Sequence, residues 1–112
     1  MIESTVSVKH PRAGATVVEL LEEHNLSAKE LRMLFQQLVA TNDLVVVDVS
    51  EAEFIDSSVI ATLFESARTA TQWGTTIRLQ MGTATIVRRA LEVSGILEEI
   101  DVASSREEAL AR

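Results

Sequence analysis

Three consecutive polar residues, Asp56, Ser57 and Ser58, are the residue types in this chain that are best suited to chemistry. Aspartate and serine commonly cap a helix N-terminus, where a side-chain oxygen accepts a hydrogen bond from a backbone N–H group. A helix N-terminus also carries partial positive charge and free N–H groups, which favour a phosphate. The triplet therefore predicts either a helix cap alone or a cap beside a serine that accepts a phosphoryl group.

The segment before the triplet is predicted to be a buried strand. Residues 44–49, with the sequence LVVVDV, are apolar except for Asp48 and contain three valines in a row. This composition is typical of a strand that is buried on both faces. Because side chains alternate along a strand, one face is expected to hold Val45, Val47 and Val49 and the other Leu44 and Val46.

The segment after the triplet is predicted to be an amphipathic helix. Its apolar residues recur at intervals of three and four, namely Ile60, Leu63, Phe64 and Ala67. The helix is expected to end at Trp73-Gly74, since glycine suits the left-handed conformation of a C-terminal cap. Ser57 is thus expected at the first helical turn, exposed at the carboxyl end of the central strand, where α/β folds usually hold their binding sites.

The first part of the chain is predicted to form a hairpin and a helix. Strands at residues 4–9 and 15–21 are joined by a turn at residues 10–14, and so short a link favours an antiparallel pair. A capping box formed by Ser27 and Glu30 begins a helix that ends before the central strand.

The last part of the chain is predicted to add a strand at residues 75–81, a helix and a short closing helix. The apolar face of the first of these helices comprises Ile86, Val87, Ala90 and Leu91. Residues 96–102 are expected to form a short strand or a turn. The closing helix begins at Ser104-Ser105 and runs to Leu110, and the charges of residues 106–108 are expected to face solvent.

Strands that alternate with amphipathic helices predict an α/β fold with parallel strands joined by crossovers. The opening hairpin makes the sheet mixed. We expect a sheet of four to five strands and about four helices, mostly on one face. At 112 residues, the chain is expected to be a single domain spanning residues 1–112.

Charge and composition narrow the choice of partner and location. The chain has 17 acidic and 10 basic residues, a net charge of −7, and no stripe of Lys and Arg, which argues against nucleic acid. A basic or neutral protein surface fits this charge better. The absence of cysteine excludes disulfides and thiol chemistry. With neither a signal-like N-terminus nor an apolar run of about 20 residues, a cytoplasmic protein without membrane insertion is expected.

Catalysis by the chain itself is not expected. Each glycine stands alone, so no Gly-rich phosphate loop is present in the sequence. No Gly-x-Ser-x-Gly motif surrounds Ser57, and no nearby histidine could activate it, since His24 is expected to be a solvated loop residue. No second oxygen-rich segment supports a metal site at the carboxylates around the central loop, Asp48, Glu51, Glu53 and Asp56. We therefore expect no cofactor and no metal.

The run VVVDVSEAEFIDSSVIATL resembles the signature of STAS domains, the family of sulfate-transporter segments and anti-sigma-factor antagonists. In that signature, a hydrophobic strand ending in aspartate is followed by Phe or Tyr, an apolar residue, Asp-Ser-Ser or Asp-Ser-Thr, and a helix. The resemblance extends over nearly the whole chain, including Ser94-Gly95-Ile96-Leu97 and the closing helix at residues 105–110. It implies a STAS-like fold.

The resemblance also implies a function. In the antagonist branch, the serine directly after the aspartate is phosphorylated by a cognate anti-sigma kinase, and the unphosphorylated form binds that kinase and releases the sigma factor. By position, that serine is Ser57, and the implied partner is an anti-sigma factor protein kinase or another protein. The implied partner-binding residues are Glu22, Glu23, His24, Asn25, Asp56, Ser58, Val59 and Ile60.

An alternative function follows from two differences on the expected partner face. The family usually has Gly-Leu-Gly, where a partner approaches bare backbone, whereas this chain has Val59-Ile60-Ala61. The loop before the first helix is usually Gly-Glu-Leu-Asp, whereas residues 22–25 read EEHN. The first difference, the loss of the two glycines, favours a non-phosphorylated STAS scaffold or a subunit of a stressosome-like or lipid-transport complex. A third class, a small-ligand or nucleotide-binding domain, lacks a visible phosphate loop.

Overall fold

The fold is an α/β arrangement in which five strands of the described residues form one sheet. The computed structural model describes residues 6–20 and 27–111. The strands are β1 Val6–Arg12, β2 Ala15–Leu20, β3 Leu44–Asp48, β4 Thr76–Gln80 and β5 Asp101–Ala103. The helices are α1 Ala28–Thr41, α2 Ser57–Trp73, α3 Thr85–Ser94 and α4 Arg106–Leu110, with a 3-10 turn at Ile96–Glu98.

The strands lie in the sheet in chain order, β1-β2-β3-β4-β5. β1 is antiparallel to β2, and each later neighbouring pair is parallel. Parallel neighbours need a crossover connection, and α1, α2 and α3 supply these connections in turn. The predicted mixed sheet is therefore confirmed, and it places β3 at the centre.

The two faces of the sheet bury separate apolar clusters. The larger cluster contains residues of α1, α2 and α3, whereas the smaller one contains Ala109 of α4. Val45, Val47 and Val49 belong to the larger cluster, and Leu44 and Val46 belong to the smaller one. The predicted alternation along the central strand and the prediction of helices mostly on one face are both confirmed.

The first strand is longer than the sequence predicted. Of the predicted strand at residues 4–9, the first two residues lie outside the described residues. β1 continues through the predicted turn as far as Arg12, so only Ala13 and Gly14 separate it from β2. The register shifts between Lys9 and Arg12, around Pro11. An edge strand with a bulge tolerates proline, because one side of the strand need not pair, and the turn is therefore shorter than the predicted residues 10–14.

The predicted apolar face of α3 is only partly correct. Val87 and Leu91 are buried, but Ile86 is 69% exposed. Neighbouring helical residues point about 100° apart, so burying the side that holds Val87 turns Ile86 toward solvent. Farther along the chain, the segment predicted to be a strand or a turn contains both the 3-10 turn and β5.

Candidate functional site

Asp56 caps α2, and Ser57 is the first residue of that helix. The Asp56 Oδ1 atom accepts hydrogen bonds from the Val59 backbone N–H (3.0 Å) and from the Ser58 hydroxyl (2.6 Å). An N-cap of this kind typically stabilises a helix by about 1 kcal/mol. The side chains on both sides of Ser57 are therefore engaged in the cap.

Ser57 itself is placed differently. Its side chain is exposed, and its hydroxyl makes no hydrogen bond to any residue of the ranges 6–20 and 27–111. The backbone N–H groups of Ser57 and Ser58 are among the donors that a helix start leaves without an intrahelical acceptor. The predicted position is thus confirmed, because Ser57 lies in the first turn of α2, after the carboxyl end of β3. An exposed hydroxyl beside the positive end of a helix can accept a phosphoryl group without disturbing the cap.

The loop between β3 and α2 is held at its first residues. The Asp48 Oδ1 atom accepts hydrogen bonds from the Ser50 N–H (2.8 Å) and hydroxyl (2.5 Å), and the Ala52 N–H donates to the Val49 carbonyl (3.1 Å). Gly82, after β4, packs against this loop so closely that a Cβ atom there would lie 2.6 Å from the Ser50 carbonyl oxygen. The start of the loop is therefore constrained by a carboxylate, a turn and the lack of a side chain at Gly82.

The surface around Ser57 combines negative charge with an apolar side chain. Glu51, Glu53 and Asp56 are exposed, and we call these three residues the acidic loop surface. Phe54, between them, is 53% exposed. Large aromatic side chains are enriched at protein interfaces, and a negative surface attracts a positive one. This arrangement is suited to contact with a basic protein surface.

The other predicted partner-binding residues divide into three groups. Ser58 and Ile60 are partly buried next to Ser57. The prediction that Val59 contacts a partner is corrected, because Val59 is only 4% exposed and packs in the larger core. Its side chain is therefore not available to a partner. The remaining predicted residues lie outside the described residues: Glu22, Glu23, His24 and Asn25.

Arg106 forms an ion-pair network on the other face of the sheet. Its Nη2 atom lies 2.6 Å from Asp48 Oδ2 and 2.8 Å from Glu19 Oε2, and its Nε atom donates to Gln80 Oε1 at 2.8 Å. Asp48 is 4% exposed. The hydrogen bond from Arg106 lowers the pKa of Glu19 below its ordinary value of 4.5, and Lys9 adds to this effect. The hydrogen bond with Glu19, followed by the one with Asp48, raises the pKa of Arg106.

This network was missed in the sequence. The prediction that residues 106–108 face solvent is wrong for Arg106, because a buried Asp48 requires a cation and hydrogen-bond donors. A single charge inside an otherwise apolar strand was the available signal. The sequence does not indicate which basic residue would meet it, since Asp48 and Arg106 are 58 residues apart in the chain. Asp48 thus joins α4 through one oxygen to the loop before Ser57 through the other.

Across residues 6–20 and 27–111, no group of three or more His, Cys, Asp or Glu side chains is arranged to hold a metal ion. No helix in that part of the chain is long and apolar enough to cross a membrane.

The structure is an α/β domain with two defining features. They are a mixed five-stranded sheet and an exposed serine at the first turn of the helix after β3. The family model described as "Mlab, STAS domain" matches residues 9–102. The chain therefore belongs to the STAS-domain family, and the resemblance seen in the sequence is confirmed.

Solved structures share this fold over nearly their full lengths. The anti-sigma factor antagonist SpoIIAA in its unphosphorylated form has a TM-score of 0.78 at 17% identity, covering 94% of this chain and 92% of that one. An anti-sigma factor antagonist from Mycobacterium paratuberculosis has a TM-score of 0.73 at 24% identity, covering 95% and 90%. The Bacillus SpoIIAA in its phosphorylated form has a TM-score of 0.70 at 17% identity, covering 94% and 96%. Comparison with curated protein sequences gives no significant match.

Proposed function

We propose that this chain is a regulatory protein-binding module that is switched by phosphorylation of Ser57. In this proposal, the unphosphorylated form binds a kinase-type anti-sigma factor, and the phosphorylated form dissociates from it. The observation that carries the proposal is the exposed, unbonded hydroxyl of Ser57 beside a cap that engages Asp56 and Ser58. The similar fold of SpoIIAA, which has been solved in unphosphorylated and phosphorylated forms, supports it.

The electrostatics around Ser57 explain how a phosphoryl group would change binding. Phosphorylation adds a charge of about −1.5 to −2 at pH 7. The new charge would lie beside the acidic loop surface, so like-charge repulsion and the cost of desolvation would both oppose contact with the same partner. The helix N-terminus offsets the charge within the domain by about 0.3–1 kcal/mol. Binding should therefore change without a matching loss of stability.

The experiment compares three variants for binding to the partner recovered from the host. We expect Ser57→Asp to weaken binding by about tenfold or more, which corresponds to a loss of about 1.4 kcal/mol or more in binding free energy. Ser57→Ala should bind like the wild type but should no longer respond to the kinase. Ser58→Ala is the matched control, because its hydroxyl bonds only to the capping Asp56 and its loss should cost about 1 kcal/mol or less of stability. Equal binding by Ser57→Asp and wild type would refute the switch.

Phosphorylation of Ser57 can be measured separately from partner binding. The intact mass of the protein purified from its host, before and after phosphatase treatment, should show loss of one phosphoryl group, and Ser57→Ala should lack that group. A phosphoryl group that persists in Ser57→Ala would place the modification at another residue.

A second candidate is a STAS scaffold or subunit in which Ser57 is not phosphorylated. The observation that favours it is Ala61, because its exposed side chain covers backbone that a glycine would leave open to a partner. Ala61 is exposed and Ile60 is half-buried, so both contribute to the surface after Ser57. A complex that is recovered equally with and without phosphatase, and equally by Ser57→Asp, would support this candidate.

A further inference from the structure

A polar groove lies at the edge of the sheet opposite Ser57. Its cavity volume is about 460 Å³, and it opens where β3 and β4 begin, at Leu44 and Thr76. Leu44 belongs to the smaller core under α4, and Ala111, just after α4, lines one side of the groove. Small-molecule sites usually measure about 300–1,000 Å³, so the groove has the size of a ligand site.

Two arginines that lack acidic partners line the groove. Arg12 is partly buried, and its side chain makes no hydrogen bond or ion pair within the described part of the chain. Arg78 uses its Nη1 atom to donate to the backbone carbonyls of Ala109 (3.0 Å) and Ala111, and its Nε and Nη2 atoms have no acceptor among the described residues. Asp43 is the acidic residue of the lining, and it forms no ion pair with either arginine. This concentration of unused donors contrasts with the net charge of −7 of the whole chain.

We propose that this groove binds a small molecule that carries a single oxyanion group, a phosphate or a carboxylate, held between Arg12 and Arg78. A guanidinium group matches both oxyanions through two parallel N–H donors, and the bond is stronger where water is partly excluded. The carboxylate of Asp43 lies against Gly14 in the same lining and disfavours a ligand with a second oxyanion group. The cavity exceeds the size of a bare ion, which leaves room for a further, uncharged part of the ligand.

This inference is independent of the function proposed for Ser57. The groove lies at the amino ends of the parallel strands, whereas Ser57 follows the carboxyl end of β3. β3 has five residues, so its two ends are roughly 15 Å apart at about 3.3 Å per residue. A ligand in the groove would therefore leave the acidic loop surface open to a protein partner.

The test is a ¹H–¹⁵N NMR titration of the protein with inorganic phosphate and, separately, with acetate, at constant ionic strength. We expect saturable shifts of the Gly14 and Thr76 amides in the wild type and an affinity at least about tenfold weaker in Arg12→Gln. Arg88→Gln is the matched control, because Arg88 is exposed on α3 without a side-chain partner among the described residues, and it should bind like the wild type.

The two anions distinguish the sources of the oxyanion. Saturation by phosphate alone assigns a phosphate ester, saturation by acetate alone assigns a carboxylate, and saturation by both supports the shared site. Shifts that do not saturate, or that are the same in Arg12→Gln and wild type, would overturn the proposal. The variant should remain folded, since the Arg12 side chain contributes no hydrogen bond or ion pair to the described structure.

Discussion

Replacing Arg106 with methionine should destabilise the domain, because the change leaves the buried Asp48 charged and without its cation. Removing one partner from a buried ion pair typically costs about 3–5 kcal/mol. The cost here should be smaller, since the Arg106 side chain is 34% exposed and water can reach part of the vacated space. Asp48 also keeps its two hydrogen bonds from Ser50. We therefore expect a loss of about 2–3 kcal/mol.

Urea unfolding of a double-mutant cycle separates this cost from lost packing. Asp48→Asn in the Arg106→Met background removes the unpaired charge, so the double variant should be more stable than the sum of the single changes predicts. Thermal unfolding should give a matching decrease of about 10 °C for Arg106→Met alone. Strictly additive costs, or a change of less than about 0.5 kcal/mol in Arg106→Met, would refute the view that the ion pair stabilises the fold.

Three further predictions test the rest of the structure. Val47→Asp should abolish the cooperative unfolding transition or cost several kcal/mol, because Val47 has no exposed surface; a nearly wild-type melting curve would contradict this. Gly82→Ala should lower the free energy of unfolding by about 1–3 kcal/mol and shift the NMR signals of residues 50–56, because the new methyl group would meet the Ser50 carbonyl. An unchanged spectrum would contradict this close contact. The lowered pKa of Glu19 contributes stability that is present above 4.5 and is lost as pH falls through the folded-state value. Urea midpoints of the wild type should therefore decrease below about pH 4.5, and Glu19→Gln should show a smaller decrease.

The central strand and the helix after it could be predicted because their signals are local. A short run of β-branched valines favours a buried strand within a sheet, and its alternation then assigns Val45 and Val47 to one face. The cap at Asp56 also follows from adjacent residues. The same local reasoning placed Ser57 at the start of α2, and the structure added that its hydroxyl is exposed and unbonded.

The parts that could not be predicted depend on contacts between distant segments. Nothing near Asp48 in the chain indicates that α4 returns across the sheet to bring Arg106 within 2.6 Å. Arg12 and Arg78 line the same groove although they lie on β1 and β4, and Ala111, after α4, also contributes to the lining. Periodicity likewise predicted an apolar face for α3 but not how far the helix rotates, so the exposure of Ile86 was missed.

The position of Asp48 predicts that a change at Arg106 affects the loop before Ser57 more than a change at Ser57 affects Arg106. One of its oxygens holds Arg106 and the other holds Ser50, so a change at Arg106 should alter the loop that leads to Ser57. A change at Ser57 should have little effect on Arg106. The Ser57 side chain is exposed and makes no hydrogen bond to Asp48, Ser50 or Arg106. The cap of α2 is formed by Asp56 instead. A charge added at Ser57 should therefore act on whatever contacts the acidic loop surface, while the sheet and α4 keep their structure, as a switch that controls binding requires.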